Sequence, residues 1–357
     1  MTVPAGMQAL RKLSATDTEL VLVEVEQPRA APGWVVLDVA LAGICGTDLH
    51  IAHNEFPSWP PVTIGHEFTG SVSAVGDGVE DWAPGQRGVC EPHALACGTC
   101  HLCRRGLAHL CTSKRAPGWG IDGGMARQVA VPAHLLHRVP DQVGDVAAAM
   151  CEPAAIAVTA AERMPVGPGQ TVLVFGPGPI GLLSALVARA CGAGQVVVVG
   201  RPSSASRLAV ARALGLTTWD SSQVDIADAA HALTGGRGAD LVIEASGSAA
   251  ATATGIGALR RRGRMCVLAV SGRPAVEVPW DLAMSRALDI SFSLSSSWSS
   301  WDAALALMGR GALDPTQLAT VYPLADWQQA FGALRQRRVV KALLDPRSAG
   351  PYREDLA

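Results

Sequence analysis

The stretch TVLVFGPGPIGLLSALVARA (171–190) constrains the fold more than any other part of the chain, because three glycines join an apolar run to an amphipathic helical one. Gly176 suits a tight turn, Gly178 lets the backbone approach a pyrophosphate, and Gly181 allows close packing of helix on strand. Pro179 and Ile180 open the helix, whose free N–H groups then face the phosphates. Alone, in a chain with 38 glycines, such a pattern also reads as a simple turn. Here further units of the same kind follow. QVVVVG (195–200) leads into ASRLAVARALG, ADLVIEASG (239–247) into a helix ending near GALRRRG, and RMCVLAV and LDISFSL supply two more strands. Strands alternating with helices at this spacing predict a parallel, doubly wound α/β sheet that binds a dinucleotide.

At 357 residues the chain is too long for one core of ordinary size. WVVLDVALAGI, FTGSVSAVG and RQVAVPAHLLHRVP, all before residue 150, are short apolar runs cut by Gly and Pro, and they predict a β-rich unit. A tail from about residue 296 offers helices at WDAALALMGRG and LADWQQAFGALRQR and a last strand at VVKALLD. It is too short to hold a core alone, so it is expected to pack on the first unit. The expected division is 1–155 with 296–357, interrupted by a sheet domain at 156–295. A net charge of −2 and no basic run longer than Arg260-Arg261-Arg262 argue against nucleic-acid or anionic-membrane partners and for small molecules. No apolar run approaches the ~20 residues that span a bilayer, and the amino terminus shows no basic-then-apolar leader. Nine cysteines, an odd number, fit a reducing compartment, and the expectation is a cytoplasmic protein.

Two groups of residues point to metal. Cys97, Cys100, Cys103 and Cys111 lie within EPHALACGTCHLCRRGLAHLC. Four thiolates satisfy a tetrahedral zinc and leave no position for water, so this site is expected to be structural. The other candidates are dispersed: Cys45 in GICGTDLH (43–50), His66 and Glu67 in TIGHEFTGSV (63–72), and Glu152 in MCEPAAIAV (150–158). Together they could hold a zinc with an exchangeable position, but their separation in sequence leaves open whether they meet.

The end of the second strand bears on the dinucleotide. NAD sites usually place a carboxylate there to accept from the ribose 2'-OH. This strand ends in Gly200, followed by Arg201, Ser203, Ser204 and Arg207. Loss of the carboxylate removes repulsion for a 2'-phosphate, and a guanidinium gives it a bidentate partner. NADP is therefore favoured. The alternative is that Arg201 is a solvated loop residue and NAD is held by other contacts. Leu268, Val270 and Ser295, at the ends of the last two strands, are further expected cofactor contacts.

CGTDLH, GHEFTG, the four-Cys segment, CEP, GPGPIG, WDAAL and VVKALL, in this order, resemble the zinc-dependent medium-chain alcohol dehydrogenase family, most closely its sorbitol and threonine dehydrogenase branch. The resemblance implies a GroES-like, partly barrel-like β catalytic domain, a Rossmann domain and a catalytic zinc in the cleft between them. It implies two zinc ions per chain, one catalytic and one structural, and a homodimer or homotetramer paired along LDISFSL. The implied catalytic ligands are Cys45, His66 and Glu152, with Glu67 a direct, alternating or water-mediated fourth, and Cys151 a core thiol. Thr47 is implied to accept the alcohol proton and relay it through the cofactor ribose to His50 or nearby solvent, with Asp48 orienting the turn or a neighbouring side chain. Trp59, Trp119 and Trp298 are implied to approach the mouth of the site. Ile51 and Ser295 stand where polyol-active relatives carry an aromatic and an arginine. That argues against open-chain sugar alcohols and leaves other secondary alcohols, amino alcohols and cyclic intermediates. Rival readings are a relative that reduces activated double bonds without catalytic zinc, a zinc-ribbon binding module and an inactive scaffold. The complete ligand set, the dinucleotide fingerprint and the near-neutral charge favour an alcohol dehydrogenase.

Overall fold

The computed structural model describes residues 6–348, so the expected domain ends at 1–5 and 349–357 lie outside the described residues. Six strands form one sheet in the spatial order Thr217–Asp220, Gln195–Gly200, Thr171–Phe175, Ala239–Glu244, Leu259–Val267, Asp289–Phe292. All neighbouring pairs are parallel. The three central strands, Gln195–Gly200, Thr171–Phe175 and Ala239–Glu244, are nearly continuous apolar runs because both faces are covered. Val172, Val174, Val196 and Val198 pack beneath the helices Cys151–Arg163 and Pro179–Ala190. Leu173, Phe175, Val197 and Val199 face the helices Ile226–Leu233 and Ala249–Ala258. The strand order reverses beside Thr171–Phe175, which puts the glycine turn at the crevice where such sheets bind ligands. The strand Thr217–Asp220 and the helix Ile226–Leu233 go beyond the sequence expectation. TTWD has no apolar run to mark it, and the helix is fixed by an N-cap, with Asp225 accepting from the Asp228 N–H.

The β-rich half is organised around strand Trp34–Gly43, which pairs antiparallel with Glu67–Val75, Gln128–Pro132 and Lys341–Asp345. The carboxy-terminal segment thus joins the amino-terminal sheet, with an unanticipated strand, Ala319–Pro323, parallel to it at the edge. Register positions the site. Gly43 stands opposite both Glu67 and Leu343, so Cys45, Glu67 and Lys341 are delivered to one end of the sheet. The helices Cys151–Arg163 and Trp298–Gly309 pack together, and one apolar core runs continuously from Val89 and Leu343 into the parallel sheet. Among the described residues no helix is long and apolar enough to cross a membrane.

Candidate active site

Strand register and two short helices bring together residues separated by more than a hundred positions. Ligand atoms of Cys45, His66 and Glu67 all lie within 4.8 Å of one another. Glu152, on the first turn of helix Cys151–Arg163, is buried, its Oε2 has no hydrogen-bond partner, and its charge interacts with His66 and Glu67. Asp48 caps the helix Gly46–Ala52: its Oδ2 accepts from the Cys45 N–H at 2.8 Å, and its Oδ1 lies 3.8 Å from Nδ1 of His66. Asp48 therefore fixes the turn that carries Cys45 and sets a carboxylate beside the ring of His66. Two lysines escaped the sequence reading. Lys341, fully buried, pairs with Oε2 of Glu67, and Lys114 is close enough to act on Glu152. The signal for Lys341 was a lone charge in the apolar run VVKALL, since a buried ammonium requires a partner.

Negative groups crowd this pocket. Burial and then Glu67 push the Cys45 thiol far above its ordinary value, and burial raises Asp48. Burial is also the main cause that lifts Glu152 to about 7, with His66 opposing it. For Lys341 burial acts downward, but Glu67 and Cys45 outweigh it, and its pKa is raised. One soft thiolate, one imidazole and buried carboxylates, with an oxygen unpaired and a thiol that resists ionisation, form a donor set that fits a divalent cation such as zinc.

The four-cysteine lobe is built differently. Ligand atoms of Cys97, Cys100, Cys103 and Cys111 lie within 4.8 Å of one another, and all nine cysteines of the chain are free thiols. The Cys100 N–H points at Sγ of Cys97 at 3.4 Å, and the Cys103 N–H at Sγ of Cys100 at 3.5 Å. Backbone N–H groups of Cys100 and Thr99 lower Cys97 to about 6, and backbone donors also lower Cys111. Desolvation and then the neighbouring Cys100 raise Cys103 to about 12. Four sulfurs around one point fit a closed tetrahedral zinc.

At the glycine turn, Gly176 has φ +99°, a Cβ on Gly181 would collide with the Gly176 carbonyl, and a Cβ on Gly178 would meet open space. That open cradle at a helix start, with Pro179 and Ile180 in the first turn, fits a dinucleotide pyrophosphate. Beyond Gly200, Arg201 and Ser203 are exposed, and Arg207 donates from Nε to the Val339 carbonyl at 3.1 Å. Leu268 is half-buried and Ser295 adopts φ +63°. Val270 is 86% exposed at the rim of an apolar groove beside the edge strand Asp289–Phe292.

The remaining residues divide. Thr47 is half-buried, its Oγ1 3.7 Å from Sγ of Cys45. His50 is exposed one turn further along the same helix, with Nδ1 2.6 Å from Oε2 of Glu55. Trp119 packs edge-on against His66, with ring centroids 5.1 Å apart, and against Phe56, an aromatic the sequence reading passed over. Trp59 donates its backbone N–H to the Trp119 carbonyl, and the Arg115 guanidinium lies 3.6 Å over its ring. Ile51 is fully buried in the core of the β-rich half and offers no accessible surface. Trp298 stands over His137 and lines a cavity of about 600 Å³ that it shares with Glu91, His93 and His109 of the lobe side.

Residues 31–141 match the alcohol dehydrogenase GroES-like domain, and residues 179–310 match the zinc-binding dehydrogenase family. Sorbitol dehydrogenase of Halalkalibacterium halodurans is 32% identical over 342 residues, covering 95% of this chain and 99% of its own. A Sinorhizobium meliloti 1021 protein described as a zinc-binding dehydrogenase, solved bound to NADP, superposes with a TM-score of 0.88 at 31% identity over 96% of this chain and 100% of its own. An Escherichia coli CFT073 alcohol dehydrogenase complexed with NADH gives 0.86 at 28% identity over 96% and 99%.

Proposed function

The chain belongs to the zinc-dependent medium-chain alcohol dehydrogenase family and is an NAD(P)-dependent enzyme that interconverts secondary alcohols and ketones, and from that premise we propose which residues do the work. Cys45, His66 and Glu152 would hold the catalytic zinc, with Glu67, paired to Lys341, within reach as a further ligand. The observation that carries this reading is the convergence of half-buried Cys45 with buried His66 and Glu67, near the buried, unpaired Oε2 of Glu152. Bound there, zinc supplies the Lewis acidity that acidifies an alcohol, and the nicotinamide supplies the hydride acceptor. Asp48 holds the His66 ring and the Cys45 turn in place, as a neighbouring carboxylate does at many zinc sites. Thr47 accepts a hydrogen bond from the substrate hydroxyl and passes its proton outward. His50, three residues on and so on the same helix face, takes that proton to solvent while Glu55 fixes its ring.

Cys97, Cys100, Cys103 and Cys111 hold a second, structural zinc, which makes two per chain. The catalytic unit is 1–155 with 296–357 and the cofactor unit 156–295. The cofactor is NADP. The two solved neighbours carry different dinucleotides, so the reading rests on this chain's own Gly200, Arg201, Ser203 and Arg207. Trp119, Trp59 and Phe56 form an apolar wall that selects compact secondary alcohols over open-chain sugar alcohols. The exposed Ile290 and Phe292 of the edge strand, with Trp280 and Met284 of the helix Trp280–Ser285 that lines the same groove, pair with a second copy of this chain in a cytoplasmic homo-oligomer.

Elemental analysis of the purified protein, with a screen of alcohols and ketones followed at the reduced-nicotinamide absorbance, tests the whole reading. Two zinc per chain and a higher kcat/KM with NADP than with NAD are expected. A single zinc retained by Cys45→Ser and wild type alike, or a marked NAD preference, overturns the corresponding part.

A further inference from the structure

The helix Trp327–Arg335 is followed by its C-cap Gln336 and then by Arg337, whose backbone is left-handed at φ +56°. Glycine takes this conformation at helix ends without a Cβ penalty, so an arginine here is held by its surroundings. The contacts that hold it run to the loop after strand Gln195–Gly200, more than 130 residues earlier in the sequence. Nη1 of Arg337 donates to Oγ of Ser203 at 3.1 Å, Oγ of Ser206 donates to the Arg337 carbonyl at 3.0 Å, and Nε of Arg207 donates to the Val339 carbonyl at 3.1 Å. Residues 337–339 are thus strapped across the place where the second strand of the dinucleotide sheet ends.

Charge makes the arrangement informative. Arg201 follows Gly200 directly, Arg337 reaches Ser203, and Arg207 lies close enough to Arg337 for their like charges to interact. Burial and then the like charge of Arg337 hold Arg207 below its ordinary pKa. Among the described residues none of the three guanidinium groups forms an ion pair with a carboxylate. Guanidinium groups brought together without an anion repel one another, and a phosphate monoester dianion is the partner their fork geometry matches. The Ser203 hydroxyl beside Arg337 adds a neutral donor.

We propose that Arg337, contributed by the carboxy-terminal segment, completes the 2'-phosphate site begun by Arg201, Ser203 and Arg207 and sets the preference for NADP over NAD. This rests on the NADP reading above. It assigns cofactor choice partly to a residue outside the dinucleotide-binding sheet, where a fingerprint search would not look.

The test uses calorimetric binding of 2',5'-ADP and of 5'-AMP, cofactor fragments that differ by the phosphate in question, to the full-length zinc-loaded protein. Arg337→Gly removes the side chain while suiting the positive φ, so the melting temperature is expected to stay level or rise. The Kd for 2',5'-ADP is expected to weaken about tenfold, with 5'-AMP unchanged and with partial recovery in Arg337→Lys, which keeps the charge but not the fork. If Arg337→Gly leaves 2',5'-ADP binding intact while Arg201→Ala weakens it, the NADP reading stands and the role of Arg337 falls. If both fragments weaken equally in Arg337→Gly, the residue only braces the loop, and the proposal fails again. If the wild type binds 5'-AMP as tightly as 2',5'-ADP, the NADP reading itself fails and takes this inference with it.

Discussion

The lobe of Cys97, Cys100, Cys103 and Cys111 and the pocket of Cys45, His66, Glu67 and Glu152 draw on overlapping ligand chemistry and manage charge in opposite ways. In the lobe a tight loop aims backbone N–H groups at sulfur, which lowers Cys97 to about 6 and lowers Cys111 as well, while Cys103 is raised by desolvation and its cysteine neighbours. In the pocket the candidate ligands come from strand ends and a helix, burial opposes ionisation of Cys45 and Glu152, and His66, Lys341 and Lys114 offset the carboxylates. Donors that the chain itself satisfies make a site that organises structure. Donors left in need of a cation keep that cation strongly bound yet able to exchange one ligand, which is what substrate activation requires.

Cys45→Ser should give the largest effect and the sharpest separation of the two sites. We expect kcat/KM to fall by roughly a thousandfold or more, about 4 kcal/mol of transition-state stabilisation. The melting temperature should hardly move, as steady-state kinetics beside calorimetry will show. A collapse of the fold would erase the distinction between the sites. Next comes Lys341→Met, which leaves the buried Glu67 without its partner. In metal-stripped protein this should cost about 3 kcal/mol in denaturant unfolding. Zinc should restore most of it by giving Glu67 another cation, and a loss unaffected by zinc would separate Glu67 from the metal. Cys100→Ser should act on the other side of the comparison. Loss of about 2–3 kcal/mol of metal-linked folding energy lowers the melting temperature by roughly 5–10 °C. The kcat per folded molecule should change less than about twofold, because the lobe makes no contact with substrate in this reading.

The legibility of these features followed the range of the interactions behind them. The glycine turn was readable because all its constraints are local: one positive φ, one close approach and one open cradle within six residues. The four-Cys loop was readable for the same reason. Thr217–Asp220 and Ala319–Pro323 were not, since each is a strand by virtue of a neighbour's unpaired edge and not of its own apolar pattern. Within the pocket, Cys45, His66 and Glu67 stood out in the sequence and do converge, whereas the pairing of Lys341 with Glu67 depends on a register across three strands. Ile51 shows the limit from the other direction. Its position beside His50 drew it towards the substrate, but helix Gly46–Ala52 turns that face into the core.

The smallest expected effect isolates the backbone donors of the lobe. In metal-stripped protein the Cys97 thiolate should be half formed near pH 6, because the N–H groups of Cys100 and Thr99 stabilise the charged form. Alkylation by iodoacetamide, which requires the thiolate, should therefore rise about tenfold between pH 5 and pH 7 and then level off. Exposed Cys191, raised by burial, serves as the internal reference, and its rate should still be climbing above pH 8. Cys45 should stay unmodified across this range, since burial and then Glu67 hold it as the thiol. Peptide mapping of the labelled protein reads all three cysteines in one experiment, and added zinc should protect Cys97 but not Cys191. Labelling of Cys45 at the rate of Cys97 at pH 7 would mean that the pocket can ionise its own thiol. The two sites would then differ in exposure alone, and the argument that one needs its cation for charge while the other needs it for structure would fail.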